Sequence, residues 1–152
     1  MNKLSFLFIF ALTALVSTLK GKDIAIEISL ARFLDNESKP YIELYYALDG
    51  NSIDLSTNSK GLLYGGVTIT ATIHKDSSII AADKFRILPP ESSDSSSFNQ
   101  LFLHQNRFYV DTGHFELHLK IEDLLDEDEF YNVQQEFEIP AKLTSLKFSD
   151  FM

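Results

Sequence analysis

The sequence predicts an all-β protein, an antiparallel β-sandwich of about seven strands that follows an N-terminal signal peptide. Apolar and polar residues alternate from Asp23 onward, which is the periodicity of strands with one buried face. Turn-forming residues interrupt these segments at regular intervals, and no convincing amphipathic helix follows the first 21 residues. A small β-barrel is the alternative. No repeat of fixed period is visible, which argues against propellers and solenoids.

Residues 1–21 have the composition of a secretory signal peptide. Lys3 precedes an almost entirely apolar stretch, Leu4–Val16, and the small polar residues Ser17 and Thr18 follow it. A membrane span needs about 20 apolar residues, and the stretch Leu4–Val16 is shorter than that. For this reason we expect no membrane span in the mature chain. We therefore expect export, cleavage within residues 17–22, and a periplasmic or cell-surface location.

The first two strands are predicted on either side of the turn segment 35–40. In the first strand one face carries Ile24, Ile26, Ile28 and Leu30. In the second strand the inward residues are Ile42, Leu44, Tyr46 and Leu48, while Tyr41, Glu43 and Tyr45 point outward. The strand ends where Asp49 and Gly50 supply turn-forming residues.

The middle of the chain predicts a hairpin between two variable connections. Residues 53–66 are rich in turn formers and predict a long connection with one short edge strand. Residues 67–74 alternate β-branched residues and predict a strand, which a turn at 75–77 joins to its partner at 78–88. Residues 89–97, "PPESSDSSS", have little to bury and predict a mobile surface loop.

The last three strands are predicted within 98–110, 114–124 and 130–140. The segment "DTGHFELH" opens the middle one. Asp111, Gly113 and Phe115 match the D-x-G-x-aromatic pattern that immunoglobulin-like sandwiches carry at the tyrosine corner, where the chain enters the second-last strand. Phenylalanine has no hydroxyl for the corner's hydrogen bond, so only the turn and the ring packing carry over. We therefore expect the sandwich to be immunoglobulin-like.

The histidines of "HFELH" raise the possibility of a metal site, but the alternation places them on a solvent-facing strand surface. His114 and His118 are four residues apart, which is roughly 13 Å along a strand, so one ion does not easily bridge both. A site would need Glu116, one of these histidines and a ligand from another strand, His104 or His74. We predict a solvated strand face and no bound metal or other cofactor.

Other polar clusters give equally modest predictions. The acidic run at 122–129 lacks the spacing of a calcium-binding loop and predicts a solvated hairpin connection. Outward Tyr41 and Tyr45 are candidate binding residues, because each tyrosine ring offers a flat apolar face and a polar tip. No cysteine, nucleophile elbow or phosphate-binding glycine loop is present, so we expect no enzymatic activity.

The acidic composition restricts the partners. The whole chain has a formal net charge of −9, and removal of Lys3 and Lys20 with the signal peptide leaves 11 basic against 22 acidic residues. Such a surface repels the phosphates of nucleic acids, so we expect no nucleic-acid partner. The aromatic content of 12% supports a packed domain despite this charge.

Three segments resemble the N-terminal region of the GWxTD domain proteins of Bacteroidota, which are exported proteins. They are "ARFLDNESKPYIELYYALDGNSI" (31–53), "VTITATIHKDSSIIAADKFRI" (67–87) and "QNRFYVDTGHFELHLKIED" (105–123). The resemblance implies a β-sandwich module ahead of the segment that bears the Gly-Trp-x-Thr-Asp motif. This sequence has no tryptophan, so that segment is absent and we expect a truncated or standalone version.

These observations predict three parts: a signal peptide at 1–21, a sandwich domain at 22–140 and an apolar tail at 141–152. We expect the tail to dock on the sandwich or to lead into a second segment. The functional prediction is a non-enzymatic interaction module that presents an edge strand or an outer face to another envelope protein. A carbohydrate-binding module and a metal-dependent hydrolase are the alternatives.

Overall fold

A computed structural model describes residues 24–126, 128 and 130–141, and within them the chain forms two antiparallel sheets and a small hairpin. The predicted signal peptide, and the tail beyond residue 141, lie outside the described residues. The strands are β1 (Ile26–Leu34), β2 (Pro40–Asp49), β3 (Ser56–Thr57), β4 (Leu63–Tyr64), β5 (Val67–Lys75), β6 (Ser78–Ile87), β7 (Leu101–Tyr109), β8 (Gly113–Asp123) and β9 (Phe130–Ile139).

The strand order confirms the predicted all-β sandwich. One sheet has the order β1-β2-β7 and the other has the order β6-β5-β8-β9, while β3 and β4 pair with each other in a two-stranded hairpin. In an immunoglobulin constant-type sandwich the first, second, fifth and fourth strands form one sheet, and the third, sixth and seventh form the other. Here β6, the fourth of the seven long strands, pairs with β5 and so lies in the second sheet.

The core lies between the two sheets and is built by the alternation seen in the sequence. The predicted inward residues of β2 are buried, with Ile42, Leu44 and Leu48 at 0% exposure, and every second residue of β8 from Phe115 to Ile121 is buried as well. β5, the neighbour of β8 in the four-stranded sheet, contributes every second residue to the same core. The fully or almost fully buried members of this core include Tyr46, Val67, Ile69, Ile73, Leu119, Ile121 and Ile139. Burial of such side chains contributes roughly 1.5–3 kcal/mol each.

Side chains close the gap between the two sheets where β6 approaches β7. The Tyr46 hydroxyl donates to Asn106 Oδ1 at 3.2 Å, and the Asn106 amide donates to Asp83 at 3.3 Å. Beside this chain the Phe85 ring stacks on His104 with centroids 4.4 Å apart. Burial, together with the negative charge of Asp83, raises the pKa of Tyr46, so its hydroxyl remains a hydrogen-bond donor.

The segment 89–97 differs from the predicted mobile loop, because it carries defined hydrogen-bonded structure. Ser92 and Leu63 exchange backbone hydrogen bonds of 3.2 and 2.7 Å, which tie the segment to β4. Asp94 caps a short 3₁₀ helix, Ser95–Phe98, by accepting from the amide of Ser96. Phe98 at the end of the helix is 2% exposed. The composition of the serine-rich segment 89–97 does not predict this buried contact, because Phe98 lies just after the segment.

The turn into β8 has the features that the D-x-G-x-aromatic pattern predicts. Gly113 begins the strand with φ of +137°, a conformation that side chains with a Cβ rarely adopt. Phe115 is buried and stacks on Phe137 of β9, with ring centroids 5.4 Å apart. The ring packing of the corner is therefore present without its hydrogen bond.

Candidate binding face

The two outer faces of the sandwich differ in chemistry. On the four-stranded sheet the outward positions of the two central strands carry threonine, histidine and charged side chains, and the exposed apolar residues Ile79 and Phe130 lie on its two edge strands. The three-stranded sheet instead presents an apolar and aromatic surface, which we call the β1-β2-β7 face. Its apolar members are Ala31, Phe33, Tyr41, Tyr45, Ala47, Leu101, Leu103 and Tyr109. Leu101 and Leu103 are 61% and 78% exposed, which is unusual for side chains of this size.

An aromatic row crosses one end of this face. The strand registers place Tyr41 directly opposite Phe33 on one side and Tyr109 on the other. The ring centroids are 5.4 Å apart for Phe33 and Tyr41 and 5.5 Å apart for Tyr41 and Tyr109. Such separations are typical of attractive aromatic pairs, so the row is held in place before any partner binds.

A buried carboxylate lies next to this row. Arg107 donates from Nε and Nη2 to Oε1 of Glu43, at 3.1 and 2.6 Å, and the Tyr45 hydroxyl donates to Oε2. The Glu43 side chain is 7% exposed, while the Arg107 side chain is 46% exposed. The guanidinium also lies 4.2 Å from the centroid of the Tyr41 ring, a cation–π contact. Glu43 therefore orients both neighbours although it is largely covered itself.

The hydrogen bonds determine the ionisation of this cluster. Burial alone would raise the pKa of Glu43, but hydrogen bonds from Tyr45 and Arg107, together with the charge of Arg107, hold that pKa below its usual value. Burial and the hydrogen bond to Glu43 raise the pKa of Tyr45 to about 12. At neutral pH the cluster consists of a carboxylate, a guanidinium and a neutral phenol.

The lowered pKa predicts acid sensitivity. A carboxyl whose pKa falls on folding stabilises the native state above its unfolded pKa, about 4.3 for glutamate, and this stabilisation is lost as the pH falls through the folded value. We expect Glu43→Gln to reduce the fall in unfolding free energy between about pH 7 and pH 3, measured by urea denaturation. Glu27→Gln, at an exposed position of the same face, controls for net charge. An unchanged acid slope in E43Q would contradict the assignment.

The histidines form a separate cluster on the polar outer face. His74 and His118 stack with ring centroids 4.1 Å apart and an interplanar angle of 23°, and His118 Nε2 lies 3.0 Å from Glu116 Oε2. His74 Nε2 lies 2.9 Å from the hydroxyl of Thr72. His114 faces Glu138 instead, and His104 belongs to the other sheet. The predicted separation of His114 from His118 is confirmed.

This cluster does not have the geometry of a metal site. The nitrogen lone pairs of a histidine lie in the ring plane, so two stacked and nearly parallel rings do not direct them at one point. Within the described ranges, no group of three or more histidine, aspartate or glutamate side chains could hold a metal ion. Glu116, His118 and His74 do meet, but as a stacked pair with a carboxylate alongside.

The sequence pattern predicts part of the β1-β2-β7 face. Tyr41 and Tyr45 were the predicted binding residues, and both lie outward on β2, half-buried by their neighbours. Phe33, Arg107 and Tyr109 were missed, since only the strand registers bring them beside Tyr41 and Glu43. Leu101, Leu103 and Tyr109 could be predicted from the sequence as one surface, because residues separated by an even number of positions lie on the same side of a strand. That side is opposite the side of the buried Phe108.

Comparisons with known proteins give no functional assignment. No family model matches this chain, and no curated protein matches it. A solved structure titled "X-ray structure of Northeast Structural Genomics Consortium target SoR45" aligns over 88% of this chain and 99% of that chain, with a TM-score of 0.43 and 9% identity. In the part of the chain that the structure describes, no helix has the length and apolarity needed to cross a membrane.

Proposed function

We propose that this protein is an exported, non-enzymatic interaction module of the cell envelope that binds an envelope protein through the β1-β2-β7 face. The observation that carries the proposal is the contrast between this apolar, aromatic face and the polar outer face of the other sheet. An outer face that packs against nothing normally alternates to polar residues. A large exposed apolar patch with a polar rim is typical of a protein-binding surface.

The composition of the face fits a protein partner. Tyrosine and arginine are enriched among the residues that dominate binding energy at protein interfaces. Here Arg107 is fixed by Glu43 and by the Tyr41 ring, so little side-chain entropy remains to be lost on binding. Leu101 and Leu103 extend the apolar area along β7, away from the aromatic row. A partner with an apolar surface and an acceptor for the guanidinium would complement this arrangement.

The cellular setting comes from the sequence. Residues 1–21 have the pattern of a signal peptide, and the resemblance to the GWxTD domain proteins also implies export. The strongly acidic composition supports a protein partner over nucleic acid. A partner in the periplasm or at the cell surface follows from these three points together.

Tyr109→Ala tests the face. Tyr109 is 54% exposed, and its loss is expected to weaken partner binding by about 2 kcal/mol, roughly thirtyfold in Kd. The matched control is Phe130→Ala, because Phe130 is 48% exposed on the polar outer face of the other sheet. Partners captured from envelope extract are identified by mass spectrometry, purified and titrated against both variants. Equal losses in the two variants, or loss only in F130A, would count against the β1-β2-β7 face.

Carbohydrate binding is the second candidate, and the aromatic row is the observation that favours it. The rings are inclined to one another by 23° and 46°, so they do not make the single flat platform on which a sugar ring stacks most simply. A glycan array with the same two variants separates the candidates. Glycan binding lost in Y109A, with no protein partner recovered, would replace our proposal.

Metal-dependent hydrolysis is examined by zinc titration of the purified protein. His74, Glu116 and His118 are the residues that would have to rearrange to hold the ion. We expect no stoichiometric zinc binding. Tight binding at one ion per chain that His118→Ala abolishes would favour the hydrolase over an interaction module.

A further inference from the structure

The strand β7 is an open edge of the three-stranded sheet. In the described part of the chain it pairs with β2 through nine consecutive residues without a register shift, and no strand pairs with its other side. Its described contacts with β6 are made by the side chains of His104 and Asn106. The backbone groups on the free side of β7 therefore form a long and regular template for another strand.

The usual protections of an edge strand are weak in β7. Natural edges carry charged side chains, prolines or bulges that prevent pairing with another chain. The pairing of β6 with β5 has a bulge at the Ile73/His74 step of β5, β6 carries three charged residues, and β9 carries two outward glutamates. In contrast, the outward side of β7 carries the exposed Leu101, Leu103 and Tyr109, with Arg107 as its one ionic side chain.

We propose that β7 pairs antiparallel with β7 of a second copy, about a two-fold axis that passes through Gln105. This register aligns all nine residues of both strands, because residues 101 and 109 are equally distant from residue 105. It joins the two three-stranded sheets into one six-stranded sheet. The proposal goes beyond the envelope partner, since it concerns the edge of the sheet and needs no other protein.

The side chains of β7 are complementary to themselves in this register. Leu101 meets Tyr109 of the second copy, Leu103 meets Arg107 of the second copy, and the two Gln105 side chains meet each other. No like charges face one another, which would be destabilising across a strand pair. Arg107 keeps its bond to Glu43, and its methylene stem packs against the leucine. The two most exposed leucines of the described chain thereby gain apolar neighbours.

A second copy is the occupant that this pattern favours over an unrelated strand. A two-fold interface requires one surface to complement itself, and the pairs of apolar with aromatic residues at both ends of β7 satisfy this requirement. Closure about the axis also leaves no free β7 edge, so pairing through β7 joins two chains and no more.

Two variants of Leu103 test the register by charge. Leu103→Lys places a cation opposite Arg107 of the second copy, whereas Leu103→Glu places an anion there. We expect light scattering of the purified protein to give twice the monomer mass, L103K to fall to about half of that mass, and L103E to keep the dimer. Leu103 is highly exposed, so both variants should fold, which thermal unfolding verifies.

Cysteine crosslinking gives a second readout in a chain that has no cysteine of its own. Gln105→Cys should form a disulfide-linked dimer on mild oxidation, since residues directly opposite on paired strands have Cβ atoms about 5 Å apart. Leu101→Cys alone should not crosslink, because its two copies are roughly 27 Å apart in this register. A mixture of L101C and Y109C chains should crosslink.

Three outcomes would overturn the pairing. They are a monomeric mass for the unsubstituted protein at every concentration, equal loss of the dimer in L103K and L103E, and crosslinking of L101C alone. Partner binding through the β1-β2-β7 face is measured with Y109A and F130A, and light scattering of Y109A shows whether that variant also loses the dimer. Failure of self-association therefore leaves that proposal standing, and loss of the envelope partner leaves the dimer measurable.

Discussion

Replacement of Gly66 by alanine is expected to destabilise the protein by about 3 kcal/mol or more, because a strained backbone and a steric clash would add to each other. Gly66 has φ of +153°, and an added Cβ would lie 2.4 Å from the carbonyl oxygen of Ile87. That oxygen belongs to the backbone of β6, so a change of rotamer cannot move it away. The Gly66 carbonyl also accepts from Leu124 at 3.0 Å, which limits its own movement.

Gly61→Ala is the matched control for this prediction. Gly61 also has a positive φ, +77°, but an added Cβ there meets no atom within 4 Å. We expect a loss of about 1 kcal/mol, the cost of the left-handed backbone alone. Urea denaturation of both variants measures the difference. Equal free energies of unfolding for G61A and G66A would contradict the proposed clash with β6.

Replacement of Leu119 by alanine is expected to cost about 2–5 kcal/mol, because it removes apolar contacts and leaves a cavity between the two sheets. Leu119 is 1% exposed and lies in the middle of β8, opposite Ala71 of β5 and Val133 of β9. The adjacent Ala71 has little side chain with which to fill the space. The midpoint of thermal or urea unfolding should fall accordingly.

The same substitution at Leu103 provides the comparison. Leu103 is 78% exposed, so at concentrations at which the chain is monomeric Leu103→Ala should change the free energy of unfolding by no more than about 0.5 kcal/mol. The chemical change is identical, and only the surroundings differ. A large loss of stability in L103A, or a small one in L119A, would mean that the sheets pack differently from the arrangement described above.

The local sequence pattern predicts only part of the candidate binding face. Tyr41 and Tyr45 were predicted to point outward because residues two apart share a face of a strand, and this is true of any register. The burial of Glu43 between them was not predicted. It depends on Arg107, which is 64 residues further along the chain and reaches the carboxylate only through the pairing of β7 with β2.

The histidines also show which contacts follow from the sequence pattern and which depend on strand pairing. The spacing within β8 correctly separated His114 from His118, since distance along one strand is fixed by its rise per residue. The stacking of His118 on His74 could not be inferred, because it depends on the register of β5 against β8. Cross-strand neighbours are chosen by pairing, and pairing is a long-range property of the chain.

The sequence by itself determined the all-β class, most strand positions and which side of each strand faces the core. These properties follow from the two-residue periodicity of a strand and from turn-forming residues, both of which act locally. The tertiary structure alone decided that β6 joins the sheet of β5, that Phe33, Tyr41 and Tyr109 form a row, and that β7 is an edge strand within the described residues. The physical reason is that sheet order and register are set by contacts between residues far apart in sequence. These contacts form only in an arrangement in which both sheets pack at the same time.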